Sequence, residues 1–234
     1  MSLLKGVSIT WLGHATVLIQ TAKGTNILID PFMAHNPKYP KGYVLPEKID
    51  YVLLTHGHDD HISDAVPVAQ RMGSTVVAIY ELAAYIGGKG VANTIGMNLG
   101  GTVQLGDVAV TMVEAKHSAG AQDEQGTHYV GVATGFVLEI AKGPTLYHAG
   151  DTSVFGDMKL IAELYKPELA MLPIGGYYTM GPREAAHAAG LLKPKFILPI
   201  HFGTFPALTG TPDELAALVD EKVTVIRCTP GDTI

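Results

Sequence analysis

The sequence predicts one compact α/β domain that spans residues 1–234. Three observations lead to this prediction. Strand-like apolar runs are interspersed with helix-length segments, and hydrophobic residues make up 47% of the chain against 16% for charged residues. No Ser/Pro-rich linker divides the sequence. The length fits one large domain or two small ones, and the missing boundary favours one.

The first strand-like runs are separated by turn residues and predict a β-meander. They cover residues 7–12, 16–20 and 26–30. Residues 31–48 contain four prolines and no hydrophobic period, which predicts a loop. Residues 49–55 form an apolar run that predicts a buried strand, and this strand leads directly into the sequence HGHDDH.

Downstream of this motif, the pattern alternates between helical and extended segments. Helices are predicted over residues 64–72, 81–86, 159–165, 183–192 and 212–221. Strands are predicted over residues 75–79, 108–114, 129–140, 145–148, 169–172, 196–200 and 223–228. In two places a Lys-Pro pair follows a helix and leads into a strand that ends near Pro-Ile, which predicts successive helix–strand units side by side.

Composition and charge indicate which kinds of partner and which cellular compartment to expect. The net charge is −6, so we expect neither nucleic acid nor a membrane surface as a partner. No run of about 18 apolar residues is present, and the N-terminal segment lacks the layout of a signal peptide. The single cysteine, Cys228, fits a reducing compartment. These features predict a cytoplasmic protein, and they leave its oligomeric state open.

Four predicted strands run into side chains that can bind metal ions. The residues at these strand ends are His56, His58, Asp60, His61, His117, Asp151 and His201. Because buried strands of layered α/β proteins present their carboxyl ends at one edge, we expect these side chains to converge. Imidazole and carboxylate ligands suit zinc, with manganese or iron as alternatives. The absence of cysteine ligands argues against a closed structural zinc site.

The spacing within HGHDDH predicts that one short loop serves two cations. His56 and His58 can turn their rings to one side if the backbone bends sharply between them, and Gly57 permits such a bend. Asp60 and His61 then face away from this pair. The loop therefore offers ligands on two sides.

The motif HGHDDH, followed in order by His117, Asp151 and His201, resembles the metallo-β-lactamase superfamily. The stretches WLGHATVLI, ILIDPF, HAGDT, LPIGGYYTMGP and PIHFGTFP are similar to its small metal-dependent hydrolase branch, near the ascorbate-phosphate lactonase-like proteins. The resemblance covers nearly the whole chain. It implies a four-layer αβ/βα sandwich of two mixed β-sheets flanked by helices, with a dinuclear site at one edge.

The resemblance also implies how the ligands divide. His56, His58 and His117 would hold the first metal ion; Asp60, His61 and His201 would hold the second; and Asp151 would bridge them. The implied cofactor is a pair of divalent cations, with zinc expected and manganese or iron as alternatives.

The implied activity is that of a metal-dependent hydrolase acting on a small molecule. A hydroxide shared by the two cations would attack an ester, a lactone or a phosphodiester, and Asp60 would pass a proton to the leaving atom. Two alternatives remain open. The same ligand set can host iron in an oxidoreductase of this fold, or the protein can be a non-catalytic binding protein that keeps a metal ion for stability.

Four further residues stand out by their positions, and the first three have two interpretations each. His14 is either a wall residue that binds a substrate oxyanion or a hydrogen-bonded structural histidine. Asp30 either orients a ligating imidazole or begins a turn before Pro31. Tyr177 either donates its hydroxyl to substrate or packs as an aromatic ring. His148 is expected to be buried or to support a ligand rather than to be one.

Two loops are candidates for the walls of a substrate cleft. The polar, glycine-containing stretch 118–128 and the proline-rich stretch 31–46 would face each other across the site, with the first as a possible lid. Alternatively, both are ordinary solvent loops.

Overall fold

Two β-sheets form the frame of the molecule in a computed structural model that describes residue 4 and residues 6–234. The first sheet has six strands in the order β1-β2-β3-β4-β5-β6. These strands are β1 (Ser8–Trp11), β2 (Val17–Gln20), β3 (Asn26–Ile29), β4 (Tyr51–Leu53), β5 (Thr75–Ile79) and β6 (Thr94–Met97). Antiparallel pairing of β1 with β2 and of β2 with β3 confirms the predicted meander, whereas β3 to β6 run parallel.

The second sheet contains most of the later strands. Its strands are β7 (Thr102–Leu105), β8 (Val108–Glu114), β11 (Thr134–Ile140), β12 (Thr145–His148), β13 (Leu169–Pro173), β14 (Phe196–Ile200) and β15 (Thr224–Val225). They lie in the order β15-β14-β13-β12-β11-β8-β7, antiparallel from β7 to β12 and parallel from β12 to β15. Strands β9 (Ala121–Asp123) and β10 (Gly126–His128) form a separate hairpin.

Helices flank both sheets. They are α1 (Asp59–Ile62), α2 (Ala65–Met72), α3 (Tyr80–Gly88), α4 (Met158–Tyr165), α5 (Pro182–Leu192) and α6 (Pro212–Ala216). Helices α2 and α3 pack against β5, whereas α5 packs against β13 and α6 against β15. Two mixed sheets flanked by helices confirm the predicted four-layer αβ/βα sandwich. Within the described part of the chain, no helix has both the length and the apolar character needed to cross a bilayer.

The central strands of the second sheet are buried on both faces. In β11, Phe136 and Leu138 join the core shared with the first sheet, while Val137 between them joins the core under α4 and α5. Strand β13 alternates in the same way, with Met171 on the inner side and Ala170 on the helix side. This division follows from the two-residue period of a strand. It also explains why these strands read as continuous apolar runs in the sequence.

Strand direction brings the predicted ligand positions to one edge. Strands β8 and β12 are both antiparallel to β11, so they point in the same direction as the parallel strands β13 and β14. The carboxyl ends of β8, β12 and β14 therefore lie at the same edge of the second sheet. The residues that follow these ends are the ones predicted to bind metal.

The structure differs from the prediction mainly at edge strands and at element ends. Strands β6 and β7 were not predicted because only some of their residues face the core and Gly96 interrupts the first of them. The strand predicted over 129–140 begins only at Thr134, since Gly131 has a φ of 89°, outside the extended region. The helix predicted over 212–221 ends at Ala216, and the strand predicted over 223–228 covers only Thr224–Val225.

Candidate metal centre

The seven side chains predicted as metal ligands meet at the edge where these strands end. Their ligand atoms fall into three overlapping groups, each with all its atoms within 4.8 Å of one another. The groups are His56, His58 and His117; His56, His61 and Asp151; and His14, Asp60, His61 and His201. One residue in these groups, His14, was predicted as a wall residue or a structural histidine rather than a ligand.

The first group consists of imidazoles alone. Nε2 of His56 lies 3.0 Å from Nδ1 of His58, and Nδ1 of His56 lies 2.9 Å from the Thr55 hydroxyl. Burial lowers the pKa of His56 well below its ordinary value, and it also lowers the pKa values of His58 and His117. These rings are therefore neutral at pH 7, which is the form that binds a metal ion.

Asp151 connects this group with the other histidines. Its Oδ2 atom lies 3.0 Å from Nε2 of His201, 3.4 Å from Nε2 of His61 and 3.6 Å from Nε2 of His117. Burial raises the pKa of Asp151, but the charges of His201 and His61 outweigh it and hold that pKa well below its ordinary value. One ionised oxygen atom thus faces imidazoles from both predicted ligand sets.

The residues present fit a bound cation. Four buried atoms of the cluster make no hydrogen bond of acceptable geometry to any described residue, although some lie close to another polar atom. They are His61 Nε2, Asp151 Oδ1, His201 Nδ1 and His201 Nε2. A buried polar atom without a partner is costly, and coordination of a metal ion would satisfy such atoms. The donor set of imidazole nitrogens and carboxylate oxygens suits zinc, manganese or iron.

Asp30 orients one of the proposed ligands. Its buried carboxylate accepts hydrogen bonds from the Thr55 backbone N–H at 2.8 Å and from the Thr55 hydroxyl at 2.6 Å. Its Oδ2 atom also lies 2.8 Å from Nδ1 of His61. Because the carboxylate can only accept, Nδ1 of His61 carries the proton and Nε2 is left to face Asp151. Of the two interpretations of Asp30, these contacts support the orienting role.

We expect Asp30→Asn to weaken zinc binding about 10- to 100-fold, because the amide no longer fixes the His61 tautomer. Competition with a chromogenic chelator measures this change. Asp64→Asn is the matched control, since Asp64 is also a buried carboxylate but accepts from the backbone N–H groups of Met33 and Ala34 and lines a different cavity. Equal losses of affinity in both variants would contradict the assigned role.

His14 is fully buried behind Asp60. Its Nε2 atom lies 3.0 Å from Oδ2 of Asp60, and its Nδ1 atom lies 3.0 Å from the Thr204 hydroxyl. Burial lowers the pKa of His14 to about 4, so its ring is neutral. With both ring nitrogens engaged in this way, His14 adopts the hydrogen-bonded arrangement of the second interpretation rather than a position facing a substrate.

His148 and Tyr177 were also singled out in the sequence. His148 is buried, and its Nδ1 atom accepts from the Gly150 backbone N–H while its Nε2 atom lies 3.2 Å from the Ala15 carbonyl oxygen. It thus supports the backbone just before Asp151. Tyr178 lines the cavity at the cluster, whereas Tyr177 packs edge-to-face on Tyr178, with ring centroids 4.6 Å apart.

A cavity of about 650 Å³ opens at the cluster. The cluster residues on its surface are His58, Asp60, His117, Asp151 and His201. Ser118 and Tyr178 add hydroxyl groups, and the segment Phe205, Pro206 and Ala207 adds an apolar wall. This wall was not predicted from the sequence. The available signal was the short apolar and glycine-containing stretch directly after His201.

The two loops predicted as cleft walls have different positions. Ser118 lines the cavity, and the hairpin that follows is fixed to α3 because Asp123 accepts hydrogen bonds from Tyr85 and Lys89. The stretch 31–46 contributes instead to a separate cavity lined by Tyr39 and Tyr43, among others. The segment 205–207 therefore lines the cavity at the cluster together with Ser118, whereas the proline-rich loop lines the separate one.

Gly57 is required for a reason other than the one predicted. Its φ is not in the left-handed region, so conformational freedom does not explain glycine at this position. A Cβ atom here would lie 2.6 Å from the Ala119 carbonyl oxygen and 2.6 Å from Cγ2 of Val130. The loop that carries His56 and His58 therefore packs directly against the chain beside Ser118, with no room for a side chain.

Comparison with known proteins identifies a family that matches most of the chain. The beta-lactamase superfamily domain matches residues 8–201, which run from β1 to the residue after β14. A UPF0173 metal-dependent hydrolase from Koribacter versatilis is 54% identical over 230 residues, covering 98% of both chains. Another from Methanopyrus kandleri is 45% identical over 230 residues, covering 96% of this chain and 98% of that one.

Among solved structures, Igni18, a metallo hydrolase from the hyperthermophilic archaeon Ignicoccus hospitalis, is similar over the whole fold. It is 34% identical, with a TM-score of 0.86 and coverage of 97% of each chain. The similarity therefore includes both sheets and the edge that carries the cluster.

Proposed function

The chain belongs to the beta-lactamase superfamily and is a metal-dependent hydrolase, and from this premise we propose that it uses two divalent cations to hydrolyse a small ester, lactone or phosphodiester. The main support is the position of Asp151. One of its oxygen atoms lies within 3.6 Å of ring nitrogens of His201, His61 and His117. A single carboxylate oxygen shared between two sets of imidazoles is suited to a pair of cations.

The proposed ligand sets draw on the three groups in the cluster, without His14, because both of its ring nitrogens lie within hydrogen-bond distance of other side chains. The first cation takes His56, His58 and His117; the second takes Asp60, His61 and His201; and Asp151 serves both. We propose zinc for both positions, with manganese or iron as alternatives. Two bound cations would lower the pKa of a water molecule toward 7 and so supply the hydroxide nucleophile at neutral pH.

Asp60 is the carboxylate best placed to move a proton. About a third of its side chain is exposed, at 32%, compared with 3% for Asp151, and it lines the cavity. Burial raises the pKa of Asp60, but the hydrogen bond from His14 and the charge of His61 bring it below its ordinary value. Asp60 is therefore ionised, and its exposure to the cavity is what supports a role in carrying a proton to the leaving atom.

The cavity supports a small-molecule substrate. Its volume of about 650 Å³ is within the range of sites that bind drug-sized ligands. The Ser118 and Tyr178 hydroxyls can donate hydrogen bonds to a substrate oxygen atom, and the Phe205 ring can pack against an apolar group.

Removal and return of metal ions tests the proposal. We expect the purified protein to contain two divalent cations per chain and to hydrolyse at least one probe among p-nitrophenyl butyrate, a γ-lactone and bis(p-nitrophenyl) phosphate. Chelation is expected to reduce hydrolysis to background, and added zinc or manganese to restore it, with circular dichroism as the control for folding. Hydrolysis at the original rate in metal-free protein would contradict the proposal.

The same preparation distinguishes the two alternatives. Protein isolated without added metal that contains iron and hydrolyses none of the probes would favour the oxidoreductase. Protein that holds zinc firmly and hydrolyses none of them would favour a binding protein.

A further inference from the structure

His14 lies between two segments that carry proposed ligands of the second cation. Its side chain contacts Asp60, with Nε2 3.0 Å from Oδ2. Its backbone carbonyl accepts a hydrogen bond from the backbone N–H of His201 at 2.9 Å. One residue near the N-terminus of the fold therefore contacts one ligand through its side chain and another through its main chain.

The hydrogen bonds around the His14 ring have defined directions. A carboxylate only accepts, so Nε2 of His14 carries the proton and donates to Asp60. In the neutral ring Nδ1 is then an acceptor, and the Thr204 hydroxyl, 3.0 Å away, donates to it. The rings of Phe32 and Phe205 pack edge-to-face on the imidazole, with centroids 5.5 and 5.6 Å away. The ring thus has one orientation, and that orientation directs a hydrogen bond at Asp60.

The His14 backbone is also held in place. Its carbonyl oxygen accepts a second hydrogen bond, from the indole N–H of Trp11 at 2.9 Å. The Trp11 ring in turn stacks on Phe202, the residue after His201, with centroids 5.0 Å apart. Trp11 therefore holds the His14 carbonyl oxygen, and it also packs on the residue next to His201, whose N–H donates to that oxygen.

We infer that His14 is a positioning residue for the second cation, which orients Asp60 through its ring and His201 through its carbonyl, with Thr204 fixing the ring. This inference rests on the proposed function, because it requires Asp60 and His201 to be ligands of the same ion. It predicts a selective effect. His14 makes no hydrogen bond to His56, His58 or His117 among the described residues, so the first cation site does not depend on it.

Two substitutions at position 14 separate the side-chain contact from the backbone contact. His14 has a φ of 56°, a conformation that asparagine tolerates. His14→Asn keeps this backbone and its carbonyl but is too short to reach Asp60. His14→Gln places an amide N–H near the position of Nε2 and can donate to Asp60 again. Thr204→Val removes the hydroxyl that fixes the ring, and Thr204→Ser retains it.

Stepwise titration of the metal-free protein with zinc, followed by isothermal calorimetry, tests the inference without measuring activity. We expect wild type to bind two ions, and His14→Asn to bind one of them about 10- to 100-fold less tightly while the affinity for the other is unchanged. His14→Gln should recover most of the loss. Thr204→Val should show a smaller loss than His14→Asn, and Thr204→Ser little or none. In cobalt(II)-loaded protein, the visible absorption of the second ion should change in His14→Asn and return in His14→Gln.

Each other outcome counts against the inference. If wild type binds two ions and His14→Asn binds both with unchanged affinity, His14 has no positioning role, and the two-cation proposal still stands. If His14→Asn loses both ions together with its thermal transition, His14 is only structural. If wild type binds a single ion, the two-cation proposal fails and the inference fails with it.

Discussion

Asp151→Asn is expected to lower kcat/KM by about 10³-fold or more, the largest effect of any single substitution in the cluster. Asp151 is buried, and its Oδ2 atom lies within 3.6 Å of three imidazoles. The amide has nearly the same shape but no charge, so two neighbouring cations would lose the anion between them. A loss of several kcal/mol of electrostatic stabilisation corresponds to this change in rate.

Metal content distinguishes this effect from general damage. We expect Asp151→Asn to retain at most one zinc ion per chain after dialysis, as measured by mass spectrometry of the metal, with a far-ultraviolet circular dichroism spectrum like that of wild type. Asp157→Asn is the matched control, because Asp157 lies on the same connection, is exposed, and makes no side-chain bond to the helix that follows it. An Asp151→Asn variant with two tightly bound ions and full activity would show that Asp151 is not a ligand.

Gly57→Ala is expected to disrupt the first ligand group and to destabilise the fold. The added Cβ would lie 2.6 Å from a backbone oxygen atom, of Ala119, and from the Val130 side chain, so the loop or its neighbour must move. Overpacking of this kind lowers the free energy of unfolding by about 1–3 kcal/mol. Because His56 and His58 flank the substitution, the same movement should weaken zinc binding.

Thermal unfolding and zinc titration together check this prediction. Gly190→Ala is the control, since Gly190 is in α5 and a Cβ there would have no atom within 4 Å. That substitution is expected to raise the free energy of unfolding by about 0.5–1 kcal/mol, because alanine favours a helix. A Gly57→Ala protein as stable as wild type, with unchanged zinc affinity, would show that the loop has more room than its contacts indicate.

The sequence predicted those elements whose signal is local. The strands at 75–79, 108–114, 145–148 and 196–200 have the predicted bounds because both faces of each are largely buried and the apolar run is continuous. The order in which ligand-competent residues follow strands also required only local patterns. Strand direction then brings these residues to one edge, as the α/β architecture implies.

What the sequence did not predict depends on contacts between distant segments. Strand β6 has an exposed, uneven pattern and exists because it pairs with β5. The contact of His14 with Thr204 joins residues 190 positions apart, and no local pattern indicates which way the His14 ring faces. Gly57 has a similar explanation, because its neighbours Ala119 and Val130 belong to a remote part of the chain.

Three residues at or beside the metal-ligand cluster have a left-handed backbone conformation, and this limits which amino acids can replace them. His14, Asp30 and His201 have φ values of 56°, 46° and 53°. Glycine adopts this conformation freely, and asparagine, aspartate and histidine adopt it more readily than most residues, whereas β-branched residues are strongly disfavoured. Exchange of these positions for Val, Ile or Thr would therefore penalise folding as well as chemistry. A variant of this chain selected only for folding would therefore still exclude β-branched residues from these three sites.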